Sequence, residues 1–139
     1  MIRSIQDFHV GIKAFIFNGD RLLKVKGNYP DLHWELPGRR VDVGEELLPA
    51  DDILHREISE ELGPELKYSI GRPVATWSRL LPKSTKYVYL IGFICKFING
   101  EIKLSGEHSE YRWVDETESR QLELADGYDR ALDQFWKSR

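Results

Sequence analysis

The chain is poor in sulfur, with one cysteine, Cys95, and one methionine, Met1. A lone cysteine cannot close an internal disulfide, and no Cys or His cluster has the spacing of a zinc site. Cys95 lies among Ile94 and Phe97 and reads as a small core residue rather than a nucleophile. Apolar runs such as Val88–Ile94 fall well short of the roughly 20 residues that a membrane helix needs. The opening stretch Met1–Asp7 lacks the apolar centre of a secretory signal. Basic residues are not in excess: 20 Lys and Arg stand against 23 Asp and Glu, for a net charge of −3. That balance argues against a nucleic-acid coat, although local basic patches stay open. There is no Gly-rich loop ending in Lys-Ser or Lys-Thr. These absences leave a cytoplasmic globular protein with a small-molecule partner, no stable nucleic-acid partner and no membrane as the expectation.

What is present suits one domain over residues 1–139, long enough to bury a core. Hydrophobic residues make up 41% and charged residues 31%, which separates the chain from disordered sequences. His9–Phe17 and Arg21–Val25 are apolar runs flanking Asn18-Gly19-Asp20, a hairpin signal. Gly27–Asp31 reads as a loop and His33–Leu36 as a short strand. A helix is predicted from about Pro49–Asp52 to Gly63-Pro64, with Ile53, Leu54, Ile58 and Leu62 on its buried side. Lys67–Arg72 reads as a linking stretch. Pro73–Leu81 and Lys86–Ile98 read as strands, and Asn99-Gly100 as a turn leading to Glu101–Leu104. Ser105–Glu110 reads as a polar loop and Tyr111–Val114 as a strand. Asp129–Lys137 is predicted to be a helix with Ala131, Leu132, Phe135 and Trp136 on its apolar face. This order predicts an α/β (α+β) fold with the sheet between helices.

One stretch concentrates the chemistry. Pro37-Gly38-Arg39-Arg40-Val41-Asp42-Val43-Gly44-Glu45 is a glycine-punctuated loop, followed by Arg56-Glu57-Ile58-Ser59-Glu60-Glu61-Leu62-Gly63. On a helix, Glu57, Glu60 and Glu61 fall within an arc of about 100°. Such like charges cost roughly 0.2–0.5 kcal/mol per pair unless a cation lies between them. Carboxylates beside a loop with available carbonyls suit hard cations such as Mg²⁺ or Mn²⁺, which bind phosphate oxygens and activate water. The competing reading is a solvated helix face, with Asp52, Arg56 and Glu60 spaced for surface ion pairs.

The two segments, with Trp34-Glu35-Leu36 before them and Tyr111-Arg112-Trp113-Val114 after, resemble the Nudix family, with a variant Nudix box over residues 39–63. The family signature is Gly, five residues, Glu, seven residues, then Arg-Glu, an aliphatic residue, any residue, Glu-Glu, any residue and Gly. The second half is matched through Gly63. Two departures stand out. The signature Gly falls on Arg39, where a glycine-only backbone shape would be costly. Ten residues rather than seven separate Glu45 from Arg56, lengthening the loop or first helical turn around Leu47–Asp51.

The resemblance implies an α/β/α sandwich with a mixed sheet and metal-dependent hydrolysis of a diphosphate. The substrate would be a nucleotide sugar, an ADP-ribose-like compound or a nucleoside triphosphate. It implies Glu60 and Glu61 as chief Mg²⁺ ligands (with Mn²⁺ as a substitute), Glu57 as ligand or general base, and the Gly38 carbonyl as a further ligand. Arg56 would pair with a carboxylate such as Glu45. Glu107 and Glu110 are the candidates for an additional base or ligand. Family members are often dimers, so a homodimer is an open expectation.

Other residues carry two readings each. Arg39 and Arg40 reach substrate phosphates or remain solvated. Trp34 and Trp77 stack on a base or belong to the core, and Trp113 reads as core. Tyr87 and Tyr89 read as packing, and His108 lies beside the candidate base. The alternative function is a catalytically weakened nucleotide-binding sensor. An isomerase would need a reactive group that Cys95 is poorly suited to supply.

Overall fold

The computed structural model describes residues 2–28, 30–125 and 127–139. Strand β1 (Phe8–Asn18) turns at Gly19, φ +63°, into β2 (Arg21–Gly27). The two strands pair only beside the turn, at Phe17↔Leu22 and Asn18↔Arg21, and then splay apart. Beyond the split, β2 pairs with β3 (Trp34–Glu35) and β7 (His108–Val114). Across the gap, β1 pairs antiparallel with β4 (Gly38–Arg40). On its other edge β1 runs parallel to β6 (Tyr87–Asn99), from Phe8↔Tyr87 through Phe17↔Lys96. Strand β5 (Lys67–Leu80) closes that side, antiparallel to β6. The result is a mixed seven-stranded sheet. The segment Leu36–Arg40 crosses the gap, where the Ala14 N–H donates to the Pro37 carbonyl at 2.9 Å.

Alternation along β1 sends side chains to both faces. Ile12, Ala14 and Ile16 join Leu23 and Val25 against Ile53, Leu54, Ile58 and Leu62 of α1 (Ala50–Leu62). Phe15, Leu22, Leu36 and Trp77 pack on the opposite face against Ala131, Leu132 and Phe135 of α3 (Tyr128–Lys137). Phe15 and Phe135 stack with ring centres 4.7 Å apart. The sheet therefore lies between helices, as the element order predicts. Among the described residues, no helix is long and apolar enough to cross a membrane.

Three readings of the sequence are corrected. Lys67–Arg72 is not a link but the first half of β5, with register irregularities around Gly71-Arg72-Pro73. Its polar Lys67 and Ser69 alternate with Tyr68 and Ile70, and the latter two pack on the α1 core. His108–Glu110 belongs to β7 rather than to a loop, because these residues pair with Gly27 and Lys26 of β2. A helix α2 (Glu116–Gln121) was not expected. Its signal is Asp115-Glu116-Thr117-Glu118, whose Asp115 side chain accepts from the Glu118 N–H at 2.8 Å, an N-cap.

Lys24 is fully buried on the α3 side, its Nζ without a hydrogen-bond partner and 5.8 Å from the Tyr128 ring centre. Burial pulls its pKa from 10.5 to about 7, against the pull of Glu35. Between those two values the unfolded chain holds a proton that the native state has released. Stability from this group therefore rises with pH across that window. Lys24→Met is expected to stabilise the protein at pH 7 by about 1–3 kcal/mol and to flatten this rise. Urea unfolding of both proteins between pH 6 and 10 checks it. A Met variant less stable than wild type at pH 7 contradicts it.

Candidate active site

Helix α1 carries two carboxylates one turn apart into the protein. Glu57 and Glu61 are 1% and 2% exposed. Glu60 points outward, 52% exposed, with the Arg56 Nε 3.7 Å away. Two of the three predicted carboxylates are thus turned into the protein, and the third stays on the solvated face. The reason is angular: Glu57 and Glu61 are about 40° apart around the helix, whereas Glu60 stands about 100° from Glu61.

Arg56 ties the loop to the helix as the resemblance implies. It contacts Glu45 and donates to the Glu57 Oε1 at 3.0 Å. Glu45 in turn accepts from the Asp42 N–H at 2.8 Å, which closes the turn before the helix. The Arg56 and Asp42 donors hold the Glu45 carboxyl below its ordinary range. The extra residues are absorbed in the loop: α1 still begins at Ala50, and Val43 and Leu47 project into solvent.

Gly38 is the pivot between loop and helix. Its N–H donates to the Glu61 Oε2 at 3.0 Å, and its carbonyl accepts from the Lys13 Nζ at 2.9 Å. Lys13 also donates to the Leu36 carbonyl at 3.2 Å. The left-handed backbone falls on Gly38, φ +124°, while Arg39 has an ordinary strand conformation. The replacement of the signature glycine by Arg39 therefore carries no backbone strain, contrary to expectation.

Burial shapes the electrostatics. It pushes the Glu61 carboxyl up to about 7, against Lys13, the Gly38 N–H and His108. It also raises Glu57, against Arg56 and Arg39. For Glu35 burial is outweighed by Lys13 and by the hydrogen bond with His108, and the carboxyl sits near 2. The His108 Nε2 and Glu35 Oε1 are 3.1 Å apart. Burial would lower Lys13, but Tyr128, Glu35 and Glu61 hold it above its ordinary range.

Glu61, Glu35, Lys13 and His108 border a cleft of about 400 Å³, whereas Glu57 lies behind Arg39 and outside the lining. Lys13, Gly38, Arg39, Arg40 and Glu61 form one side, with Glu35, Glu107 and His108 beside them. Leu81, Val88, Leu90 and Tyr128 supply apolar surface, and Arg79 lines it as well. Glu107 borders the cleft; Glu110 instead pairs with Arg112 at 3.2 Å, outside the lining. Trp34 is also outside the lining: it is buried, with the Arg112 guanidinium 5.0 Å from its ring centre. Trp77 is core, and Cys95 is buried with its thiol pushed up to about 12 by burial. Sequence reasoning missed Lys13, Glu35 and Arg79. Lys13 had a visible signal, a lone cation inside the apolar run of β1.

The donor set fits a hard divalent cation. Glu57 Oε2 is buried without a hydrogen-bond partner, and the same helix and the adjoining loop supply the Glu61 carboxylate and the Gly38 carbonyl as further oxygen donors. All are oxygens, the preference of Mg²⁺ and Mn²⁺. Among the described residues, no three Asp, Glu, His or Cys side chains already converge on one point. Internal cations stand beside these oxygens instead: Lys13 on Gly38, and Arg39 near Glu57 at 3.7 Å.

A family model described as NUDIX domain matches residues 7–135. Nucleoside triphosphatase NudI of Escherichia coli O1:K1 is 32% identical over 97 residues, covering 64% of this chain and 65% of that protein. The match spans just under two thirds of the length of these curated relatives. The fold resembles the E. coli ORF135 protein, with TM-score 0.78 at 23% identity over 95% of this chain and 91% of that one. A MutT NUDIX hydrolase from Burkholderia pseudomallei superposes with TM-score 0.72 at 23% identity, covering 93% and 98% of the two chains. The NUDIX domain of Shewanella oneidensis NrtR, complexed with ADP ribose, gives TM-score 0.70 at 14% identity, covering 96% and 90%.

Proposed function

The chain belongs to the NUDIX domain family, and from that premise we propose that it is a metal-dependent pyrophosphohydrolase acting on the phosphoanhydride of a nucleoside phosphate. The carrying observation is the buried pair Glu57 and Glu61, with an unpartnered Glu57 oxygen beside the Gly38 loop. A bound Mg²⁺ would draw on these two carboxylates and the Gly38 carbonyl; it would supply charge neutralisation and an activated water. Arg39, Arg40 and Lys13 give the cleft the positive charge that a polyphosphate needs. Arg56 positions Glu57 and the loop. Glu107, rather than Glu110, is the late carboxylate we assign to the site, because it borders the cleft. Glu60 is left as a peripheral ligand at most.

Within this class we favour a single nucleoside 5′-triphosphate. The cleft is about 400 Å³, with one apolar surface from Leu81, Val88 and Leu90 for a base. The relative NudI, similar over 64% of this chain, is by name a nucleoside triphosphatase. A screen of nucleoside triphosphates, nucleotide sugars and dinucleotides, each with Mg²⁺ and with Mn²⁺, is expected to release phosphate or pyrophosphate chiefly from triphosphates. Cleavage chiefly of nucleotide sugars or ADP-ribose, read as a nucleoside monophosphate and a sugar phosphate, would overturn the substrate assignment and leave the reaction standing.

The second reading, a nucleotide-binding sensor, is favoured by the internal cations already beside the metal-binding oxygens. Mg²⁺-dependent nucleotide binding without product release on any of these compounds would select it.

A further inference from the structure

Arg39 occupies the position that is glycine in the family signature, and its guanidinium lies between two carboxylates. Its Nε is 3.7 Å from the Glu57 Oε2, and its Nη1 is 3.8 Å from the Glu107 Oε1. Both distances exceed a hydrogen bond. The Glu57 oxygen it faces is the buried one without a partner. Glycine at this position would remove the cation that both carboxylates face, leaving Glu57 paired with Arg56 alone. Arg39 therefore acts where a metal ion would act, as a counter-charge supplied by the chain.

Lys13 and Arg39 differ in how firmly they are held. Lys13 is buried and makes two hydrogen bonds, at 2.9 and 3.2 Å, to the carbonyls of Gly38 and Leu36. Drawing its ammonium away from these carbonyls would leave a buried charge unsatisfied. Arg39 is 45% exposed and borders the open cleft. It can leave its carboxylates for solvent, or for a phosphate in the cleft, at little desolvation cost.

We propose that Arg39 is a resident counter-cation which a divalent metal ion must displace from Glu57 and Glu107, and which then turns its planar donors to the substrate phosphates lining the same cleft. A dication at the carboxylates and a guanidinium within a few ångströms of them repel each other, so the exchange is competitive. In this chain the metal affinity is set lower than a glycine at residue 39 would set it, and anionic substrate favours metal binding by taking up the released arginine. This rests on the metal-site reading above.

The test is a titration of the nucleotide-free protein with Mn²⁺, followed by calorimetry, for wild type, Arg39→Gly, Arg39→Gln and Arg40→Gln. Arg40 also borders the cleft, but it bonds to the His9 Nδ1 at 2.8 Å and controls for the loss of one positive charge. Both Arg39 variants are expected to bind Mn²⁺ about tenfold more tightly than wild type, and Arg40→Gln within about threefold of it. In EDTA, Arg39→Gln is expected to melt below wild type, with Mn²⁺ restoring more of the loss than it adds to wild type. Mn²⁺ affinity in the Arg39 variants equal to or weaker than wild type overturns the inference alone. Equal tightening by Arg40→Gln overturns it as well, leaving only a general charge effect. Absence of Mn²⁺ binding in all four proteins overturns both the inference and the metal site it rests on.

Discussion

Glu57→Gln and Glu61→Gln are each expected to lower Mg²⁺-dependent hydrolysis by about 10²–10⁴-fold without unfolding the protein. The reason is that the change removes charge and keeps shape. A Gln at position 61 still offers an oxygen to the Gly38 N–H, which the Glu61 Oε2 accepts at 3.0 Å. Burial already presses the Glu61 carboxyl up to about 7, so a neutral side chain relieves a desolvation cost. Glu61→Gln should therefore melt at or above wild type in EDTA while losing activity, the pattern expected where function is kept at the expense of stability. At position 57, Gln keeps an oxygen for Arg56, whose Nη2 donates to the Glu57 Oε1 at 3.0 Å. Steady-state rates at saturating Mg²⁺, paired with melting curves, check both variants. Loss of activity together with loss of folding would remove the support for a chemical role.

Gly38→Ala is expected to be the most damaging small substitution in the loop. Gly38 has φ +124°, and a Cβ there would come within 2.1 Å of the Ile12 carbonyl oxygen and 2.9 Å of the Lys13 Cα. Both obstacles are backbone of β1, so neither can swing aside. The variant must break the β1–β4 pairing at Lys13↔Gly38, and with it the Gly38 bonds to Glu61 and Lys13. A cost of about 3 kcal/mol, or roughly 10 °C in melting temperature, is expected, along with loss of activity. By contrast Gly44→Ala, which has no atom within 4 Å of its Cβ, meets only the strain of φ +99°. Melting the two variants side by side separates steric clash from backbone strain. Similar losses in both would show that the close approach to β1 is not what demands glycine at residue 38.

The parts of the fold that were legible in the sequence are those fixed by neighbours in the chain. Asn18-Gly19 marks the hairpin, Pro49 and Gly63 bracket α1, and Ile53, Leu54, Ile58 and Leu62 identify its buried stripe. Strand β5 was half missed because Gly71-Arg72-Pro73 looks like a break, whereas β6 carries the pairing across it with shifts in register. The site divides in the same way. Glu57, Glu61, Arg56 and Gly38 belong to one stretch of motif and are legible there as candidates. Lys13, Glu35 and Arg79 come from three different strands, and only the folded sheet brings them to one cleft. Choosing Glu107 over Glu110 also needed the fold: Glu110 lies on β7 opposite Lys26, beyond the cleft. The concern over Arg39 was misplaced as backbone geometry, since the positive φ belongs to Gly38. It was well placed as electrostatics, since the guanidinium lies between Glu57 and Glu107.

If a divalent cation held by Glu57 and Glu61 drives hydrolysis of a nucleoside phosphoanhydride, activity needs the metal and both carboxylates together. The most direct test follows product release from a nucleoside triphosphate by wild type and by the Glu57→Gln, Glu61→Gln double variant, each in Mg²⁺ and in EDTA. Release is expected from wild type in Mg²⁺ alone, with none above background in the other three conditions. Undiminished release by the double variant, or by wild type in EDTA, would contradict it.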